Sequence, residues 1–247
     1  APGEPAINPV PREMMRAVVA EVAAAHGEPG DVEIEISIPG GEKLAERTWN
    51  PRLGIVGGLS ILGTTGVVVP YSCSAWIHSI HQGIDVARAT GMDHVAGCTG
   101  STSERAVQEL YGLSDTAMLD MGDFAGGLLK YLRAHPIAKL TIGGGFGKMS
   151  KLAMGHLDLH SGRSQVDLDW LAERIAGLGG AAELARAVRG ANTANQVLEL
   201  ARQADLPLGD RVATLAREAA LGVLGGETEV EVLIFDRQGK PVGRADG

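Results

Sequence analysis

Between residues 58 and 161, short apolar runs alternate with helix-like patterns, and Gly-rich loops stand where a run stops and a helix starts. Strand–helix repeats with short connections pair their strands in parallel and cover the sheet with helices. Residues 94–98, 117–120 and 139–142 read as strands. The run Thr99-Gly100-Ser101-Thr102-Ser103-Glu104 is a capping signature and predicts a helix to about Tyr111; residues 124–134 predict another. Val67–Val69 is a further short run, before a helix whose apolar stripe is Trp76, Ile80, Ile84 and Ala87, stopped by Gly91. From Val166 the pattern is helical, with stripes at Leu168, Leu171, Ile175 and Leu178 and at Val212, Leu215, Ala216, Ala219 and Val223. The fold class expected is α/β, a Rossmann-like parallel sheet with a helical C-terminal part.

The chain ends differ from this middle. A helix is expected at residues 12–25. Then Val32, Ile34, Ile36 and Ile38 alternate with Glu33, Glu35 and Ser37, and near the other end Val230, Val232 and Ile234 alternate with Glu229, Glu231 and Leu233. Period two with β-branched residues predicts half-buried strands. Their likeness predicts that both belong to one antiparallel layer, offset or separated by a further strand because their glutamates repel when directly paired.

Bulk properties exclude several functions. The net charge of −8 argues against general nucleic-acid binding, which needs a basic surface. With 4% aromatics, a stacking platform for single strands is not expected either. No apolar run approaches the ~18 residues of a membrane span, and residues 1–15 lack the basic-then-apolar order of a secretory signal. Cys73 and Cys98 are read as reduced thiols of a cytoplasmic protein, too far apart for a Cys-pair zinc motif.

Two loops carry the candidate chemistry. Gly143, Gly145 and Gly147 form G-x-G-x-G after a strand, a pattern that lets a cofactor approach the backbone at a helix N-terminus. It serves nicotinamide and S-adenosylmethionine folds alike, and is equally a plain turn. It is not a P-loop: Met149 follows Gly147-Lys148, and position 142 is Ile. Residues 139–163 carry Lys139, Lys148, Lys151 and Arg163 against one acid, Asp158, a basic patch suited to a polyanionic small molecule. His156, Asp158 and His160 alternate with Leu157 and Leu159; on a strand they would share one face and contact substrate, while a metal site lacks a fourth ligand. Asp120 and Asp123 could accept from ribose hydroxyls or cap a helix. His78, His81, Asp85 and Arg88 read as a solvated helix face. Ser60, Thr64, Thr65 and Ser72 make the first loop hydroxyl-rich, without the G-x-S-x-G of a hydrolase elbow.

Four ordered blocks then carry a resemblance: GEPAINPVPREMM (3–15), WNPRLGIVGGLSILGTTGVVVPYS (49–72), GGGFGKMSKLAMGHLDLHS (143–161) and GANTANQVLEL (190–200). The chain resembles the cobalt-precorrin-5B C-1 methyltransferase family (CbiD), without that family's usual N-terminal segment bearing a Gly-Tyr-Thr-Thr-Gly-type motif. The resemblance implies S-adenosylmethionine-dependent methyl transfer at C-1 of cobalt-precorrin-5B, giving cobalt-precorrin-6A in cobalamin biosynthesis. It implies a Rossmann-like domain, here 63–225, and a smaller α+β domain, here 1–62 with 226–247 and incomplete. On this reading Gly63, Thr64, Thr65, Thr99, Gly100, Ser101, Glu104, Asp120, Gly122, Asp123, Gly143, Gly145 and Gly147 line the S-adenosylmethionine cleft. Arg52, Lys148, Lys151, His156 and His160 hold the carboxylates of a corrinoid precursor, and His160 is the candidate base. No resident metal, nucleic acid or membrane partner is expected, and a homo-oligomer is allowed. Two alternatives stay open. An NAD(P)-dependent oxidoreductase shares the glycine pattern, although nicotinamide fingerprints normally sit on the first strand. A non-catalytic tetrapyrrole-binding protein would bind the acceptor without the methyl donor.

Overall fold

The structure, a computed structural model, describes residues 3–61 and 72–246. The short apolar run at 67–69, and Gly63, Thr64 and Thr65, lie outside the described residues. The chain divides into two compact units, Ala1–Cys73 and Ser74–Gly247.

In the first unit, α1 (Pro9–His26) opens on prolines, where a missing N–H costs nothing. It closes on Gly27, whose left-handed φ of 69° directs its N–H to Ala23 O. The helix expected at 12–25 is therefore present. A short helix α2 (Gly41–Ala45), a 3₁₀ turn at Asn50–Leu53 and a parallel bridge between Ile7 and Ile61 complete the regular structure described here. Residues 31–38 form no strand, and Val32, Ile34, Ile36 and Ile38 remain exposed. Alternation sorts side chains onto two faces, but a ladder also needs a partner for its backbone groups. The partner expected, residues 230–234, pairs elsewhere.

The second unit is built on a five-stranded sheet. In chain order its elements are α3 (Cys73–Ala89), β1 (His94–Cys98), α4 (Ser101–Tyr111), β2 (Met118–Leu119), α5 (Ala125–Ala134), β3 (Lys139–Gly145), α6 (Phe146–Ala153), α7 (Leu168–Gly177), α8 (Ala182–Arg189), α9 (Ala194–Gln203), α10 (Leu208–Leu224), β4 (Glu229–Phe235) and β5 (Pro241–Ala245). The sheet order is β2-β1-β3-β4-β5; the first three pairings are parallel and β4–β5 is antiparallel. The fold is thus mixed α/β. One expectation is corrected: residues 229–235 do not join an N-terminal antiparallel layer but run parallel to β3, with Val232 opposite Ile142.

Period two divides the sheet between two cores. Val95, Leu140, Ile142, Val230, Val232 and Ile234 face α3, α5, α6 and α10 in the main core. Ala96, Cys98, Leu233 and Phe235 face α4 in a smaller one, with Val107. Full burial of Leu128, Leu140, Phe146 and Met149 stabilises the fold by about 1.5–3 kcal/mol per side chain. The expected wet face of β4 is absent. Glu231 is 0% exposed and is held by Tyr111, Thr141 and Arg244. Among the described residues no helix is long and apolar enough to cross a membrane.

Candidate functional site

At the carboxyl ends of β1, β3 and β4 the chain forms a cavity of about 450 Å³. It is lined by Thr99–Ser103 after β1, by Gly145–Lys148 after β3, by Asn195, and by Phe235–Arg237 after β4. This is the edge where open α/β sheets receive small ligands, because strand ends and helix starts converge there. Both α4 and α6 begin on glycine N-caps, Gly100 and Gly145, and neither cap makes a side-chain hydrogen bond. First-turn N–H groups have no intrahelical partner, so two bare helix N-termini face one cavity, an arrangement suited to a carboxylate or phosphate.

The glycines of the second loop divide in their roles. Gly143 and Gly144 belong to β3 rather than to a loop. A Cβ on Gly143 would lie 2.8 Å from Cys98 Sγ, and one on Gly144 would lie 2.7 Å from Met149 Cε and 2.9 Å from Thr99 Oγ1. These two are small because α4 and α6 pack against the strand. Gly145 has ordinary extended angles, φ −73° and ψ 152°, and a Cβ there meets nothing within 4 Å. Of the three glycines 143–145, this position lines the cavity, as Gly147 does beyond it. Beside Gly143, burial pushes the Cys98 thiol up to about 12, so it is inert at neutral pH.

Beside the cavity, residues 120–124 follow β2. Gly122 takes a left-handed φ of 54°, and its N–H donates to Cys98 O at 3.0 Å. Asp123 Oδ1 is buried without a well-directed hydrogen bond and lies 2.9 Å from Lys148 Nζ. The same ammonium donates to Thr99 O at 2.9 Å. Lys148 thereby ties together the loops that follow β1 and β2. Asp123 does not cap α5, whose N-cap is Phe124.

The structure places the other expected residues unevenly. Thr99, Gly100, Ser101, Gly145 and Gly147 line the cavity; Asp120, Gly122 and Asp123 stand next to it; Glu104, in the first turn of α4, and Gly143 are not among the lining residues. Lys151 is buried, its pKa lowered by burial, and donates to Leu159 O at 2.8 Å. It holds the loop that carries His156 and His160. That loop is not the expected strand. It is bonded to the neighbouring segment through Gly126 N to Leu157 O and Leu159 N to Asp123 O, both 2.8 Å. His160 is exposed, and its Nδ1 accepts from Gly162 N at 3.1 Å. A neutral ring held this way carries its proton on Nε2 and presents a donor rather than a base. Arg52 belongs to the first unit, 4.3 Å over the ring of Trp49. Among the described residues no cluster of His, Cys, Asp or Glu could hold a metal ion. Asn195, Phe235, Asp236 and Arg237 were not expected in the cavity. Asn195 lies in the 190–200 block at the start of α9, with no spacing signal that ties it to the cleft, and the other three reach the cavity only because β4 lies beside β3.

Of the expected solvated face of α3, His78, Asp85 and Arg88 are exposed, whereas His81 is half-buried. His81 stacks on Tyr131 at 4.0 Å, Tyr131 stacks on His135 at 4.0 Å, and the Tyr131 hydroxyl donates to both Asp85 oxygens.

These features define an α/β protein with a candidate small-ligand cleft at its parallel strand ends. The family models described as CbiD and as CbiD, C-terminal domain, match residues 1–70 and 158–246. Relatives named cobalt-precorrin-5B C(1)-methyltransferase include one from Paramagnetospirillum magneticum (strain ATCC 700264 / AMB-1), 63% identical over 99% of this chain and 68% of the relative. Another, from Bradyrhizobium sp. (strain BTAi1 / ATCC BAA-1182), is 60% identical over 100% of this chain and 66% of the relative. A crystal structure of the cobalamin biosynthesis protein cbiD from Archaeoglobus fulgidus covers 59% of this chain and 46% of its own, at 23% identity and a TM-score of 0.25. The chain belongs to the CbiD family. It spans about two thirds of the length of the curated relatives it matches.

Proposed function

We propose that this chain serves the transfer of a methyl group from S-adenosylmethionine to C-1 of cobalt-precorrin-5B. The observation that carries this reading is the 63% identity with a relative of that name over 99% of the chain, cleft included. The cleft supports the donor half. Its volume suits a small ligand, its two uncapped helix N-termini suit a carboxylate, and Gly145 leaves room against the backbone. The parallel β2-β1-β3-β4 order with helices on both faces supports reading this unit as Rossmann-like.

When bound, the donor supplies an electrophilic methyl group on sulfonium. The protein's part is alignment, which by itself removes much of the barrier of a two-substrate reaction. On this reading the backbone N–H groups of Ser101–Ser103 and Gly147 hold the donor's carboxylate, with Thr99 and Asp236 within the same cavity. Lys148 fixes the Asp123 loop against Thr99, so that the strand-end loops keep their spacing. Lys151 positions the following loop, from which His156 and His160 reach acceptor carboxylates as hydrogen-bond donors.

The test is calorimetric titration with S-adenosylhomocysteine, with NAD as control, on the wild type and Gly145→Val. Wild type is expected to bind the first alone. The variant is expected to keep its thermal stability, because the site is open and its backbone angles suit any residue, and to lose about tenfold or more in affinity. Binding of NAD alone favours the oxidoreductase reading, and equal affinity in the variant places the donor outside this cleft.

A further inference from the structure

The apolar stripe of α3 breaks its own pattern. Ile80, Ile84 and Ala87 are buried, yet Trp76, one turn before Ile80, is 41% exposed. The sequence pattern counted it as core. Three contacts hold it outside. Its indole Nε1–H donates to Asp120 O at 2.7 Å. Its ring edge lies against Gly122, where a Cβ would be 3.0 Å from Cζ2. Its centroid is 5.8 Å from that of Phe124, tilted by 60°. A large apolar surface fixed in place and left open is the form of a binding face, since its conformational entropy is already lost before anything binds.

Its place in the fold says what would bind. The loop that clamps Trp76 is the one whose Gly122 N–H bonds the end of β1 and whose Asp123 pairs with Lys148. Trp76 and the cavity therefore flank one ion pair on the same sheet edge. Next to Phe124 runs the loop tied down at Leu157 and Leu159, which presents His156, His160 and a largely exposed Arg163. An aromatic floor rimmed by the hydrogen-bond donors of His156, His160 and Arg163, the last 3.9 Å from Asp158, beside a donor cleft, matches a broad conjugated ring bearing peripheral carboxylates. A cationic acceptor could rest on the indole face but would be repelled by the Arg163 guanidinium, and an aliphatic one would leave the loop's donors unpaired.

We propose that Trp76, backed by Phe124, is the face on which the macrocycle of the methyl acceptor rests, its carboxylates meeting the His156–Arg163 loop. This rests on the methyltransferase reading above and adds a residue that sets acceptor specificity. The test uses uroporphyrin III, a flat macrocyclic octacarboxylate, titrated by its absorbance, with S-adenosylhomocysteine titrated by calorimetry on the same proteins. Trp76→Ala is expected to weaken uroporphyrin about tenfold, and Trp76→Phe to restore most of that loss, with S-adenosylhomocysteine affinity unchanged in both. Uroporphyrin binding that is unchanged in Trp76→Ala, or absent in a wild type that binds S-adenosylhomocysteine, overturns the proposal alone. Parallel loss of both ligands in Trp76→Ala also overturns it, marking a structural role. A wild type that binds neither overturns the methyltransferase reading on which it rests.

Discussion

Glu231 shows what one residue can demand of its surroundings. Its carboxylate is fully buried between α4 and the sheet. It accepts the Tyr111 hydroxyl at 2.6 and 2.7 Å and the Thr141 hydroxyl at 3.0 Å, and it pairs with Arg244 at 2.8 Å. Because Thr141 gives its proton to Glu231, its oxygen accepts from His94 Nε2 at 2.9 Å. Burial, reinforced by the bond to Glu231, pushes the Tyr111 phenol up to about 12. A buried charge that loses a donor bears the desolvation cost unaided. Tyr111→Phe is therefore expected to lower stability by about 1.5–3 kcal/mol, read as a lower urea midpoint at unchanged slope. An unchanged midpoint would show that Thr141 and Arg244 together satisfy the carboxylate.

At the scale of elements, α10 and β5 meet without side chains between them. A Cβ on Gly209, in the first turn of α10, would overlap the carbonyl of Val242, and Gly243 faces Gly209 across the same contact. Asp210 then accepts the Arg244 backbone N–H at 2.9 Å. This approach places β5 on the edge of the sheet and frees the turn after β4 to border the cleft. Gly209→Ala is expected to cost about 1–3 kcal/mol or more, because neither backbone can yield without breaking the Asp210 bond. Differential scanning calorimetry checks this. A melting temperature equal to that of wild type would mean that the helix slides without penalty.

For the molecule as a whole, two histidines make stability depend on acid. Burial, then the neighbouring Lys139 ammonium, lowers His94; burial also lowers His81. The unfolded chain takes up these protons near pH 6.5, whereas the folded chain takes them up only at lower pH. Between those values the unfolded state binds more protons, so stability falls as pH drops through and below about 6.5. The double variant His81→Gln, His94→Gln is expected to flatten the decline in melting temperature between about pH 7 and 5.5. A slope equal to that of wild type would assign the acid response to other groups.

Local pattern was sufficient wherever an element and its partners are close in sequence. α1, α3, α4, α5, β1 and β3 lie where 3.6- and 2-residue periodicity and Gly stops predicted them, and the four C-terminal helices occupy the region read as helical. The loops of the cleft were legible for the same reason: Thr99–Ser101 and Gly145–Lys148 stand between a strand and the helix that follows it. Pairing was not legible. Two segments with like alternation, at 32–38 and 230–234, read as partners in one layer, yet the first forms no strand and the second lies beside β3, because period two sorts faces without naming a neighbour. Burial of polar groups was illegible too. Glu231 reads as solvent-facing until Tyr111, 120 residues away, supplies its donor, and Lys151 reads as a surface cation until Leu159 O accepts from it. Trp76 reads as core until the turn at Gly122 holds it outward. The sequence by itself determined the elements and the edge on which a ligand cleft would open. Tertiary structure alone decided strand order, which charges are buried and which aromatic ring is left free, because each depends on backbone groups brought together from distant parts of the chain.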